Sequence, residues 1–161
     1  VLLSRAWGMR ANEAILQDLD RMMLEVAATG SAAILEGTKG GRRCRSRTIP
    51  AGEFQREALE FAISVRPTGS KCLLSKTDNV ISFYRGELGR CRRILKTCGI
   101  PSIRELRCGF AQDVYEEIVR GPSPLRGPIG DRVLDRIARE TVARMLGHCR
   151  PQVASSYIGG Y

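Results

Sequence analysis

Residues 22–50 read MMLEVAATGSAAILEGTKGGRRCRSRTIP, and the folding of this stretch decides the class of the whole chain. Two breaks punctuate it, Thr29-Gly30 and Lys39-Gly40-Gly41. Both are turn chemistry, because glycine reaches the positive φ of tight hairpins without steric cost. The pieces between them, 22–28, 31–38 and 43–50, are strand-like in length and end in turn signals. Together they predict a three-stranded antiparallel meander.

Outward from this stretch the pattern is helical. A helix is expected over residues 11–17, where Ala, Glu, Leu and Gln are good formers. After Pro50, Phe54, Ala58, Phe61 and Val65 recur at helical spacing. Asp78 or Asn79 is a cap for a helix running to Lys96, stopped by Cys98-Gly99 and Pro101. Ser102 can cap residues 103–119, with Glu105 completing a capping box. The stretch RGPSPLRGPIG (120–130) is a loop, and Asp131 can cap the next helix. There Val133, Ile137, Met145 and Leu146 form the expected apolar stripe. Gly147 stops that helix and Pro151 suits the first turn of another. The expected fold is α+β, mainly helical, with a small three-stranded antiparallel sheet near the N-terminus packed on a helical bundle. At 161 residues the chain suits one domain.

The charge narrows the partners. There are 26 Lys+Arg against 17 Asp+Glu, a net charge of +9, and 22 of those cations are arginine. Arginine's planar fork grips a phosphate through two hydrogen bonds, so nucleic acid is the leading partner class. The six cysteines lack zinc spacing and read as free thiols in a reducing cytoplasm. No apolar run approaches membrane-spanning length, and no signal peptide is evident.

The last nineteen residues, ARMLGHCRPQVASSYIGGY (143–161), hold the chain's one histidine, His148, with Tyr157 nine positions later. One unbroken helix would put the two on opposite faces. The glycine stop and proline restart let the tyrosine swing to the histidine's side. Taken singly, His148 reads as a capping or half-buried histidine, Tyr157 as a core aromatic, and Lys39 as a solvated hairpin lysine. Arg10 can simply pair with Glu13, and Tyr161 is a second terminal tyrosine at a different spacing.

The combination resembles the catalytic domain of the tyrosine recombinases, the phage-integrase family. Leu-Gly-His followed by a tyrosine nine residues on is shared, and GMRANEA resembles the segment carrying the first catalytic arginine, here Arg10. EGTKGGR resembles the hairpin with the catalytic lysine, Lys39, and IRELRCGFAQ resembles the block holding Arg104 and Arg107. The final stretch is most like integrases of mobile elements. The resemblance covers residues 1–161 and implies that the family's amino-terminal core-binding domain is absent from this chain.

What it implies is site-specific cleavage and rejoining of double-stranded DNA. Tyr157 would be the nucleophile of a 3′-phosphotyrosyl intermediate. Arg10, Arg107 and His148 would hold the phosphate, Lys39 would protonate the leaving oxygen, and Glu13 would orient Arg10. No metal or other cofactor is required. A homo-oligomer is implied, a tetramer on DNA when full length, in a bacterial, phage or mobile-element setting without a membrane. Position 104 departs from the family, where histidine or lysine is common, and Cys108 stands where histidine is frequent. Arginine at 104 can hold a phosphate but does not accept a proton. Those departures keep open a catalytically degenerate, integrase-derived DNA-binding module. A type IB topoisomerase would share the chemistry. An RNA-binding protein is disfavoured by 6 % aromatics. The last helix, with few residues after it, is expected to be loosely held.

Overall fold

A computed structural model describes residues 1–39, 47–148 and 150–160. Its elements are α1 (Leu2–Ala6), α2 (Ala11–Leu16), α3 (Leu19–Thr29), β1 (Ser31–Ala33), β2 (Thr48–Pro50), α4 (Glu53–Ser64), α5 (Val80–Arg85), α6 (Glu87–Thr97), α7 (Ile103–Val119), α8 (Arg132–Met145) and α9 (Ser155–Ile158). A short 3-10 turn over Pro151–Ala154 precedes α9.

The fold is mainly helical with a small antiparallel sheet, but the sheet has two strands among the described residues. The expected first strand, 22–28, lies inside α3. The Asp18 side chain accepts from the Arg21 amide and caps the start, while Gly30 ends the helix at φ 70 instead of turning a hairpin. Leu19, Met22 and Val26 then fall on one buried face at helical spacing. The second expected strand shortens to β1, and of the third the described part forms β2; residues 43–46 lie outside the described residues. Ala32 pairs with Ile49, and both are buried.

Two further expectations change. On α4, Ala58, Leu59 and Ala62 are buried while Phe54, Phe61 and Val65 are exposed. On α8, Val133 and Ile137 are exposed, and the buried face carries Asp135, Ala138, Arg139, Val142 and Ala143. Small alanines allow close helix contact, and the two charged residues satisfy one another there. Both Asp135 oxygens accept from Arg139 Nε at 2.9 Å, and Tyr115 Oη donates to Asp135 at 2.6 Å. The Glu105 capping box does not form at α7, whereas Asn79 and Asp131 do cap their helices. Gly86 divides the expected helix up to Lys96 into α5 and α6.

The main core gathers Trp7, Met22, Ile49, Leu59, Phe110 and Leu146 from six segments. A second cluster, Ile15, Leu88, Leu95, Ile103 and Leu106, seats α6 against α2 and α7. Helix α7 runs through the middle and packs against α1, α8 and α9. Contrary to the expectation of a loose end, α9 is anchored. Ala154 and Ile158 are fully buried, and Arg139 Nη1 donates to Ser155 Oγ and the Gly159 carbonyl, both at 3.0 Å.

Candidate active site

The end of α8 sets the histidine. Gly147 adopts the left-handed conformation, φ 72, which a side chain would disfavour. The His148 amide donates to the Ala143 carbonyl at 2.8 Å and the Gly147 amide to Arg144 at 2.9 Å, a Schellman closure. The last carbonyls of a helix need outside donors and carry partial negative charge. Two arginines meet that need here. Arg47 Nε donates to the Met145 carbonyl at 2.9 Å, and Arg107 Nη2 donates to the Leu146 carbonyl.

The same two guanidiniums converge on the turn before α2. The Gly8 carbonyl accepts from Arg107 Nη1 at 2.9 Å and from Arg47 Nη2 at 3.1 Å. Glu13, in the first turn of α2, is wholly buried. Its carboxylate accepts from the Arg10 amide at 2.6 Å. It also pairs with Arg10 Nη1 at 2.7 Å, Arg47 Nη1 at 2.7 Å and Arg107 Nη1 at 3.5 Å. Three guanidiniums thus surround one carboxylate, 3 − 1, leaving two positive charges. Burial pushes the Glu13 carboxyl up, but the hydrogen bond and charge of Arg47, with the amide and charge of Arg10, leave it below its ordinary value.

His148 closes the ring. Its Nε2 lies 3.5 Å from Arg10 Nη2, 3.4 Å from Arg107 Nη2 and 3.3 Å from the Tyr157 hydroxyl. Burial, then the charges of Arg107, Arg10 and Arg47, push its pKa down to about 4, so the imidazole is neutral at neutral pH. Guanidinium groups only donate, so the neutral Nε2 faces them as an acceptor. Burial, followed by the charge of Arg10, also lowers Arg107, to about 10, which leaves it cationic at neutral pH.

Two arginines approach the Tyr157 ring. The guanidinium carbons of Arg104 and Arg107 lie 5.4 and 5.5 Å from its ring centroid. Arg104 and Arg107 share one face of α7, as expected from their spacing. Arg104 Nη2 donates to the Ser156 carbonyl at 3.0 Å, so it grips the residue before the tyrosine. An open cleft of about 380 Å³ lies over this group, with Met9, Arg10, Arg92, Arg104, Arg107 and Tyr157 among its lining residues.

Of the residues singled out in the sequence, Arg10, Glu13, Arg104, Arg107, His148 and Tyr157 therefore come together. Lys39 is exposed, at the edge of residues 40–46, which lie outside the described residues. The segment leading to it is seated on α2: a methyl group on Gly37 would collide with the Asn12 carbonyl oxygen. Gln17 Nε2 also donates to the Glu36 carbonyl at 2.6 Å. Two residues escaped the sequence reading. Arg47 hid in a run of arginines before β2, and Arg92 looked like one of several exposed cations on α6. Comparison of the chain with family models, curated proteins and solved structures gave no match.

Proposed function

We propose that this chain cuts and rejoins DNA strands through a covalent tyrosyl intermediate, the chemistry implied by its resemblance to the tyrosine recombinases. The observation that carries the reading is the meeting of Arg10, Arg107 and His148 beside the Tyr157 hydroxyl.

The charge balance supports it. A phosphodiester carries one negative charge, and the five-coordinate state formed on attack carries two. Arg10, Arg107 and Arg104 face the cleft with Glu13 the one carboxylate paired among them, so positive charge is in excess where charge builds up in that state. Interactions stronger in the transition state than in the ground state are the ones that accelerate a reaction. A preorganised donor aimed at such charge is worth about 3–4 kcal/mol.

In the proposed reaction the Tyr157 oxygen attacks phosphorus as its proton passes to the neutral His148 Nε2, 3.3 Å away. The bond from phosphorus to the 5′-oxygen breaks, leaving a 3′-phosphotyrosyl link. The freed 5′-oxygen takes a proton, for which Lys39 is the proposed donor. Attack by a 5′-hydroxyl on the link reverses these events and reseals a strand. Arg10 and Arg107 hold the non-bridging oxygens beside His148. Arg104 keeps α9, and with it the tyrosine, at the cleft. The partner is double-stranded DNA, with several copies of the chain acting together.

The test is a pool of duplexes with randomised sequence around a nick, which traps any covalent adduct because the short fragment diffuses away. Wild-type protein is expected to yield adducts recovered by potassium–dodecyl sulfate precipitation, and Tyr157→Phe none. Salt-sensitive binding without an adduct from wild type would favour a DNA-binding module instead.

A further inference from the structure

We infer that Arg47 is a positioning residue of this site: it fixes Glu13 between Arg10 and Arg107 and so keeps both guanidiniums aimed at the phosphate. The inference rests on the strand-transfer reading above.

Arg47 is 4 % exposed and is not among the residues lining the cleft, so a substrate role of its own is not proposed. Its three nitrogens instead point to three parts of the fold. Nη1 reaches Glu13 on α2, Nη2 the Gly8 carbonyl before α2, and Nε the Met145 carbonyl at the end of α8. A planar fork can bind in three directions at once; an ammonium on a flexible stem does not hold that geometry.

The need for such a brace follows from charge. Arg10 and Arg107 converge on His148 Nε2 and repel one another across a half-buried site. The Glu13 carboxylate between them offsets part of that repulsion while it is ionised, and burial works against its ionisation. Arg47 supplies the larger share of the hydrogen bonding and charge that, together with the Arg10 amide and charge, outweigh the burial. The charged groups facing Glu13 are Arg10 from the turn before α2, Arg47 from the approach to β2, and Arg107 from α7. The same contacts bind the strand returning from the Lys39 segment to the floor of the pocket.

The experiment compares Arg47→Lys and Arg47→Ala with wild type on the randomised nicked duplex pool. It reads single-turnover adduct formation, DNA binding in a Tyr157→Phe background, and thermal melting. A misplaced catalytic group typically costs about a hundredfold in rate, and that loss is expected for Arg47→Lys with binding held within about twofold. Millimolar guanidinium ion is expected to restore part of the Arg47→Ala rate, and ammonium ion is not. The acid limb of the rate profile should move to higher pH in Arg47→Lys, because Glu13 then protonates more readily. The proposal is overturned by Arg47→Lys reacting within about threefold of wild type. Equal losses of binding and rate, or loss of the cooperative melt, also overturn it by making Arg47 a fold residue. Absence of an adduct from wild type would instead defeat the strand-transfer reading itself.

Discussion

His148 Nε2 stands 3.3 Å from the hydroxyl of Tyr157, nine residues further along the chain, because a glycine ends one helix and a separate helix carries the tyrosine back. The same nitrogen meets two guanidiniums, which makes the imidazole a direct reporter on the pocket.

That reporter can be read alone, since the chain has one histidine. Imidazole NMR should give a pKa of about 4, and sulfate in the pocket should raise it by offsetting the arginine charges. A pKa near 6.5 that ignores sulfate would sink the anion-pocket reading. The stability consequence has a definite sign. Between about 6.5 and 4 the unfolded chain binds a proton that the folded chain does not. This contribution is fully present above pH 6.5 and is lost as pH falls toward 4. Denaturant melts at pH 7 and 5 should show a smaller pH difference in His148→Gln.

Gly147→Ala tests the turn that aims the histidine. The left-handed backbone costs an L-residue about 1–2 kcal/mol. The new methyl would also lie 3.0 Å from Arg47 Cδ. Urea unfolding should register the loss, and His148 should titrate closer to its ordinary value as it leaves the arginines.

Removing Arg139 should free the last helix. Breaking a buried pair leaves an uncompensated charge and costs about 3–5 kcal/mol. Arg139→Met also deletes the bonds to Ser155 and Gly159. Limited proteolysis should then cut after residue 150 faster than in wild type, with tyrosine fluorescence changing as Tyr157 leaves its seat. Unchanged cleavage would mean that apolar burial of Ile158 and Ala154 holds α9 by itself.

DNA binding should weaken steeply with salt, by a slope of about 0.9 for each phosphate contacted. Arg92 is exposed at the cleft, and its guanidinium lies 5.2 Å from the Tyr84 ring centroid. Arg92→Ala in the Tyr157→Phe background should lower the slope by about one such increment. Filter binding across a salt series measures it; an unaltered slope would remove Arg92 from the interface.

Local signals in the sequence were reliable where the interaction itself is local. Asn79 and Asp131 cap helices by bonding amides within three residues, and Gly147 ends α8 by bonds that close within five. The grouping of Arg10, Glu13, Arg104, Arg107, His148 and Tyr157 was reached only through resemblance, since no spacing along the chain states a distance in space. Short apolar pieces were ambiguous. MMLEVAA has neither the length nor the alternation to separate strand from helix, and Leu19 and Asp18, just outside it, decided for α3. Of the expected stripes, Ala58 and Leu146 are buried, whereas Phe54, Phe61, Val65, Val133 and Ile137 are exposed because close packing favours the faces with small side chains.

By itself, then, the sequence determined the capped starts at Asn79 and Asp131 and the glycine stop at Gly147, because caps and glycine stops act over a single turn. It also determined that arginine, one histidine and a late tyrosine were present for chemistry. Tertiary structure alone decided that Arg47 would meet Met145 across 98 positions and that Arg139 would hold the final turn. Those bonds depend on which segments pack together, and burial of a charge selects its partner only after the chain has closed around it.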